Sequence, residues 1–294
     1  MRLSNDPDDR AARKRPAGFV VKGPRPRGDL GRADLRPGPA ETLSFLSGDF
    51  RIFQRRDGHR WSLDDFMTAV VAVEEGRSLE RVDRACDLGC GIGSVLMFVA
   101  WAFPDVRSVG VEAQDVSIGM ARRSLAYNGI DDRVVVREGD LRNPSVVPEA
   151  GTFDLVTGTP PYIPLGAGTP SEKIQRGPCC FETRGGIEEY AAAAARLLAP
   201  GGVFVACSGT YPEDRAIRAG EAAGLVYTRR VSVIGKEGKP PLFVVTAMKK
   251  ASDVPKGASP RVEVFRARDR NSRLPEEMHR AREVLGLPPA ADDA

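Results

Sequence analysis

The stretch VDRACDLGCGIGSVLMFVAWAF, residues 82–103, contains the change of pattern that decides the fold. Its first eight residues are typical of a short strand, and glycines then recur at positions 89, 91 and 93. The apolar run that follows predicts a buried helix. Glycines let the backbone turn tightly and approach a ligand closely, so the stretch predicts one βα unit of a ligand-binding α/β domain.

Strand-like and helix-like segments continue to alternate after this unit. The strands are VRSVGVEA, RVVVREGD, TFDLVTG and VFVACSG, and the helices between them run to ten residues or more. The last two strands, LVYTRRVSVI and PLFVVTAMKK, are separated only by GKEGKPP, which is too short for a helical crossover. We therefore predict a doubly wound α/β fold with a mostly parallel, seven-stranded, Rossmann-like sheet and a C-terminal antiparallel hairpin.

The charge is distributed unevenly along the chain. Residues 1–40 carry ten Arg or Lys and five Asp, whereas the whole chain has a net charge of only +3. We predict a basic, disordered arm over 1–44, a catalytic domain over 45–250 whose first part, 45–80, forms a lid, and a polar tail over 251–294. The arm either binds an anionic partner or is simply a solvated tail.

Composition excludes several classes of protein. The five cysteines have no zinc-module or disulfide spacing, and only two histidines are present, so we expect a reducing, cytoplasmic environment and no metal site. No apolar stretch approaches the length of a membrane span, so we expect no membrane partner.

Acidic residues mark the ends of three predicted strands. Asp87 precedes the glycines, Glu112 ends the next strand, and Asp140 ends the third. At these positions Glu112 suits ribose hydroxyls, Asp140 suits an adenine amine, and Asp87 suits a cationic group. Three carboxylates favour a nucleoside that carries a cationic amino acid over a pyrophosphate.

The fourth strand stops at an unusual corner, GTPPYIP, residues 158–164. Proline cannot donate to a sheet ladder, so the strand ends at Thr159. Pro160 and Pro161 hold the backbone rigid, and Tyr162 places an aromatic ring directly after them.

Together DLGCGIG, GVEA, EGD and GTPPY resemble the class I S-adenosylmethionine (SAM) methyltransferases. The resemblance covers about residues 45–250 and implies SAM as the cofactor. The segment RWSLDD, from Arg60, also resembles a stretch in the bacterial family that methylates N6 of an adenosine in tRNA(Val), and it implies a lid near the methionine end of SAM. The implied cofactor-binding residues are Asp87, Gly89, Gly91, Gly93, Glu112, Ala113, Asp140, Leu141, Ser62 and Asp64.

In methyltransferases that act on amino groups, the resemblance implies that the corner accepts hydrogen bonds from the target NH₂ and stacks on the target base. The implied catalytic residues are Thr159, Pro160, Pro161 and Tyr162. Thr159 departs from the family's Asn or Asp, because its hydroxyl is shorter and is also a donor.

This resemblance predicts adenine-N6 methylation of tRNA or another structured RNA by a monomer or weak dimer. Two alternatives stay open: N-methylation of a protein glutamine or a small molecule, and a SAM-binding scaffold without catalysis because of Thr159. The loop 163–185, with Lys173, Arg176 and Arg184, is placed to close over a flipped base or contact phosphates.

Overall fold

The computed structural model describes residues 20–58, 60–162 and 181–288. Within these ranges the strands are β1 (Glu41–Phe45), β2 (Arg51–Arg55), β3 (Arg84–Leu88), β4 (Arg107–Glu112), β5 (Val134–Glu138), β6 (Phe153–Gly158), β7 (Leu198–Ser208), β8 (Leu225–Ile234), β9 (Pro241–Lys250) and β10 (Arg261–Arg266). The helices are α1 (Leu63–Arg77), α2 (Ser94–Ala102), α3 (Asp115–Asn128), α4 (Ile187–Leu197), α5 (Arg215–Ala222) and α6 (Glu276–Val284). Helices and strands alternate as the sequence pattern predicts.

One sheet organises the described chain, in the strand order β10-β8-β9-β7-β6-β3-β4-β5. Strand β9 runs antiparallel to both of its neighbours, and the other pairs are parallel. The α/β class, the mostly parallel sheet and the antiparallel hairpin β8–β9 are therefore confirmed.

The predicted strand count is wrong by one, because the sheet has eight strands. The additional strand, β10, lies in the predicted polar tail and pairs in parallel with β8. Three of its six residues are charged, and its alternating valines, Val262 and Val264, are exposed while Phe265 is buried. In sequence the segment therefore resembles a polar tail. Helix α6 follows it and buries Met278 and Ala281 against the core.

Apolar cores form on both faces of the sheet. Helices α1, α2, α3 and α6 cover one face, together with side chains of β2. Helices α4 and α5 cover the other. None of the helices in the described ranges combines the length and the apolar character needed to cross a membrane.

Residues 20–44, part of the predicted disordered arm, pack along the domain instead. Their arginines are paired locally: Arg25 with Asp49, Arg32 with Asp34, and Arg36 with Asp29. The glycines and prolines leave this segment without the periodicity of a helix or strand, so the sequence did not predict its contacts with the domain. Residues 1–19 lie outside the described ranges, and the domain boundaries stay predictions.

The hairpin β1–β2 is held to helix α3 by side chains. Asn128 accepts a hydrogen bond from the backbone N–H of Arg51 at 2.8 Å and donates one to its carbonyl at 2.7 Å. Ser124 Oγ accepts from the N–H of Phe53 at 3.0 Å. These side chains satisfy the open edge of β2, so the hairpin needs no further strand beside it.

We expect Arg123→Ala to lower the free energy of unfolding by about 1–3 kcal/mol, because three hydrogen bonds are lost. Arg123 donates to the carbonyls of Asp34 at 2.6 Å and Arg36 at 2.9 Å, and to the Glu41 carboxylate at 2.8 Å. Chemical denaturation measures the loss, and limited proteolysis should cut near residue 35 faster. The exposed Arg107→Ala is the control; an equal loss in both variants would show that Arg123 does not anchor the segment.

Candidate functional site

A cavity of about 470 Å³ opens at the carboxyl ends of the parallel strands. This volume falls within the range of small-molecule sites. Its lining comes from the lid segment, the glycine turn, the ends of β4, β5 and β6, and the start of α4. The lining residues are Arg56, Gly58, Arg60, Ser62, Asp64, Asp65, Gly89, Cys90, Gly91, Ile92, Ser94, Val111, Glu112, Ala113, Gln114, Gly139, Asp140, Leu141, Thr159, Pro160, Pro161, Tyr162, Arg184, Gly185 and Tyr190.

The glycine turn between β3 and α2 presents bare backbone to this cavity. Gly91 has a φ of +55°, and a Cβ placed on it would meet open space, so the turn leaves room for a ligand there. Glycine is required at position 89 for a different reason, because a Cβ there would lie only 2.1 Å from Oη of Tyr190. Gly93 flanks the start of α2 with a φ of +86° and does not line the cavity.

Asp87 lies below the turn, buried, and also does not line the cavity. Its carboxylate accepts a hydrogen bond from the N–H of Leu96 in the first turn of α2, at 3.1 Å, and from Oγ1 of Thr157 at 2.7 Å. It therefore caps a helix whose preceding residue, Gly93, has no side chain to do so. Burial raises the pKa of Asp87 to about 7.

Glu112 lies at the cavity wall with most of its hydrogen-bonding capacity in use. One carboxylate oxygen accepts from the N–H of Gly91 at 2.9 Å. The other accepts from the N–H of Ala113 at 2.9 Å and of Gln114 at 2.8 Å. A carboxylate has about four acceptor positions, so this site leaves room for about one ligand hydroxyl rather than the two that the sequence suggested.

Asp140 lines the cavity beside Leu141 but is paired with Arg142. The Arg142 guanidinium donates to both carboxylate oxygens, at 2.5–3.0 Å, and lowers the pKa of this carboxyl. Its carboxylate is therefore ionised and held in a defined orientation at the end of β5.

Three residues of the lid also line the cavity: Ser62, Asp64 and Asp65. The carboxylate of Asp65 accepts a hydrogen bond from the N–H of Ser62 at 3.0 Å, as in a helix capping box, while the Ser62 hydroxyl bonds to Asp64. Asp65 is buried, and burial together with the neighbouring charge of Asp64 raises its pKa to about 7. The sequence analysis did not name Asp65 as a site residue, although it lies directly beside Asp64 in the lid motif.

The proline corner after β6 closes the third side of the cavity. Thr159, Pro160, Pro161 and Tyr162 all line it. Gly209, in the loop after β7, lies against the Tyr162 ring, since a Cβ there would be 3.5 Å from a ring carbon. The corner thus faces the same space as the glycine turn.

Three arginines complete the lining. Arg56 and Arg60 come from the lid, and Arg184 from the loop before α4. The sequence analysis named only Arg184 as a candidate for substrate contact. The positions of Arg56 and Arg60, close to or within the lid motif, could have indicated that they line the cavity as well. Lys173 and Arg176 of the predicted substrate loop lie outside the described residues.

Relatives in sequence act on amino groups of different molecules. A family described as a methyltransferase domain matches residues 85–163. A 4-amino-L-phenylalanine/4-methylamino-L-phenylalanine methyltransferase of Streptomyces pristinaespiralis is 37% identical over 132 residues, covering 42% of this chain and 43% of that enzyme. A tRNA1(Val) (adenine(37)-N6)-methyltransferase of Porphyromonas gingivalis is 30% identical over 180 residues, covering 60% and 67%. A release factor glutamine methyltransferase of Caulobacter vibrioides is 30% identical over 155 residues, covering 49% and 52%.

The chain therefore spans between 43% and 67% of the length of these curated relatives. Among solved structures, a predicted O-methyltransferase from Agrobacterium tumefaciens shares the fold, with a TM-score of 0.56 and 18% identity over 79% of this chain and 100% of that one. The chain belongs to the SAM-dependent methyltransferases, as its methyltransferase domain and its coverage of the P. gingivalis enzyme both show.

The residues of the cavity fit SAM. The open space beside Gly91 admits a ligand against the backbone, and carboxylates at Asp64, Asp65, Glu112 and Asp140 surround it. Such a lining favours a cationic ligand, because opposite charges attract most strongly where water is partly excluded. The direct binding roles of these residues stay predictions.

We expect Glu112→Gln to weaken SAM binding by about 1.5–3 kcal/mol, the scale for hydrogen bonds to a charged acceptor. The amide keeps the size of the side chain but loses its charge and one acceptor oxygen. Isothermal titration calorimetry measures the change, with the exposed Asp115→Asn as the control. Unchanged affinity in Glu112→Gln would remove Glu112 from the binding site.

We expect SAM affinity to rise as the pH increases through about 7, because Asp65 is largely protonated below its raised pKa and charged above it. Binding a cation favours the charged form, so protons are released on binding below this pH. In Asp65→Asn the slope of affinity against pH should fall. The amino group of SAM titrates equally in both titration series, so an identical slope for the two proteins would contradict this role.

Proposed function

We propose that this protein methylates an amino nitrogen, and that its substrate is N6 of an adenine in tRNA or another structured RNA. The observation that supports the proposal is that the proline corner and eight of the ten predicted cofactor residues, all but Asp87 and Gly93, line one cavity. A methyl donor held by the glycine turn would therefore lie within reach of an amine held by the corner.

The corner supplies acceptors rather than a strong base. SAM, when bound, supplies an electrophilic methyl group on its sulfonium. The carbonyl of Pro160 and the hydroxyl oxygen of Thr159 accept hydrogen bonds from the target NH₂ and orient its lone pair. They also stabilise the positive charge that grows on nitrogen, because the prolines hold them in place before the reaction. Tyr162 stacks on the ring that carries the amine.

The other lining residues contact different parts of the cofactor. Glu112 accepts from a ribose hydroxyl, and the oriented carboxylate of Asp140 accepts from the adenine amine. The acidic pair Asp64 and Asp65 meets the ammonium group of the methionine end. Arg60, on the same lid, suits its carboxylate.

Two observations favour RNA. The P. gingivalis relative that the chain covers to 67% acts, by its name, on tRNA adenine. Arg184 and Arg56 add positive charge at the cavity, which suits a phosphate backbone. In the described part of the arm, Arg25, Arg32 and Arg36 are already paired with aspartates, so these three offer less charge to an anion than their number suggests.

A small aromatic amine is the second candidate. The Streptomyces relative acts, by its name, on 4-amino-L-phenylalanine and has the highest identity of the three, 37%. The arginines at the cavity would equally suit the carboxylate of an amino acid. A protein glutamine is a third, supported by the release factor relative.

We expect wild-type protein with labelled SAM to produce N6-methyladenosine in total tRNA. Tyr162→Ala should weaken the RNA complex by the stacking energy, about 1–3 kcal/mol per base, while SAM binding stays intact. Thr159→Asn should raise turnover, since the longer side chain places a carbonyl acceptor toward the amine.

Nucleoside analysis of the treated tRNA measures all three proteins, and calorimetry with SAM controls for their folding. Parallel reactions contain 4-aminophenylalanine and a release factor. Should the label enter only one of these, the RNA assignment is wrong and the amine-methylating activity stands. Should no substrate be labelled while SAM binds, the proposed activity itself fails.

A further inference from the structure

We propose that Tyr211 binds the base next to the target nucleotide, as a second stacking platform outside the cavity. This inference rests on the proposed RNA substrate. Tyr211 lies in the loop between β7 and α5, and it is 90% exposed, the largest value among the large apolar side chains of the described residues.

Tyr211 borders the outer side of the proline corner. Pro160, Pro161 and Tyr162 line the main cavity with one side and a narrow crease with the other. The crease, about 10 Å³, has room for about one water molecule and none for a ligand. Tyr211 is part of the crease wall and is not part of the main cavity.

The loop that carries Tyr211 is held at both ends. At its start, Gly209 packs against Tyr162. At its end, Arg215 donates to the carboxylates of Glu182 at 2.6 Å and Glu188 at 2.8 Å, which joins α5 to the start of α4. The exposed ring is therefore presented beside the corner by a braced loop, which limits the entropy lost when it binds a ligand.

The two carboxylates that follow Tyr211 in this loop are paired with arginines. A guanidinium nitrogen of Arg230 lies 3.0 Å from a carboxylate oxygen of Glu213, and one of Arg218 lies 3.3 Å from a carboxylate oxygen of Asp214. In the described part of the chain, the cations that bond to this loop are thus paired with its carboxylates, and the loop offers an exposed aromatic face, which suits a base better than a phosphate.

The position outside the cavity selects for a long substrate. Tyr211 lines the crease and not the cavity, so a free amino acid or a mononucleotide held in the cavity is expected not to contact its ring. A strand whose target base is flipped into the cavity has neighbouring bases outside it, and splayed bases commonly stack on tyrosine. Tyr211 therefore distinguishes an RNA strand from a small amine.

The test compares wild type, Tyr211→Ala and Tyr211→Phe on three substrates: a short RNA hairpin with one adenine in its loop, the same hairpin with abasic sites on both sides of that adenine, and AMP. Val262→Ala, on the exposed edge strand β10, is the control. We expect Tyr211→Ala to raise KM for the intact RNA about tenfold with little change in kcat, and Tyr211→Phe to behave as wild type.

The abasic RNA supplies the decisive comparison. The KM of wild type should be about tenfold higher for the abasic RNA than for the intact RNA. The KM of Tyr211→Ala should be the same for both RNAs, because the base that the ring would contact is already absent. Equal KM values for wild type and Tyr211→Ala on intact RNA overturn this inference alone. An equal loss on AMP also overturns it, since the ring would then contact the target itself. If wild type methylates no RNA, the proposed function fails and the stacking role fails with it.

Discussion

The buried carboxylate of Asp87 joins the two halves of the site. It accepts one hydrogen bond from the first turn of α2 and another from Thr157, which lies two residues before Thr159 of the proline corner. The glycine turn that would hold the cofactor and the strand that ends in the substrate corner are thus tied through one side chain. Its burial raises its pKa to about 7. When the group is ionised both oxygens accept these bonds, and when it is protonated the carbonyl oxygen can still accept from Leu96 while the hydroxyl donates to Oγ1 of Thr157.

The cavity lining carries charges of both signs. Carboxylates of Asp64, Asp65 and Glu112 gather where a cationic ligand is expected, and arginines stand at the lid and before α4. Two of the carboxylates that bear on this site, Asp65 and Asp87, are costly to ionise in the unliganded protein because they are buried. A bound cation offsets that cost, which couples occupation of the cavity to proton release.

Much of the fold could be predicted because alternating apolar segments and glycine stops are local signals. The glycine turn after β3 and the hairpin β8–β9 are of this kind. Strand β10 could not, because three of its six residues are charged and it follows a stretch without periodicity. For the site, eight of the ten cofactor residues that the motifs implied line the cavity and their binding roles stay predictions, whereas the partners of Glu112 and Asp140 depend on contacts that no spacing encodes. The direct contact predicted for Asp87 is replaced by a supporting position below the turn.

The attachment of the hairpin to α3 has a consequence for how such enzymes diversify. Strand β2 belongs to the lid segment, and it is held by Ser124 and Asn128 of a helix that belongs to the sheet domain. Both side chains bond to backbone groups of β2, which a different sequence at these positions would also supply. The anchor of the lid therefore lies in the helix, and the lid residues that line the cavity can change while the anchor is kept.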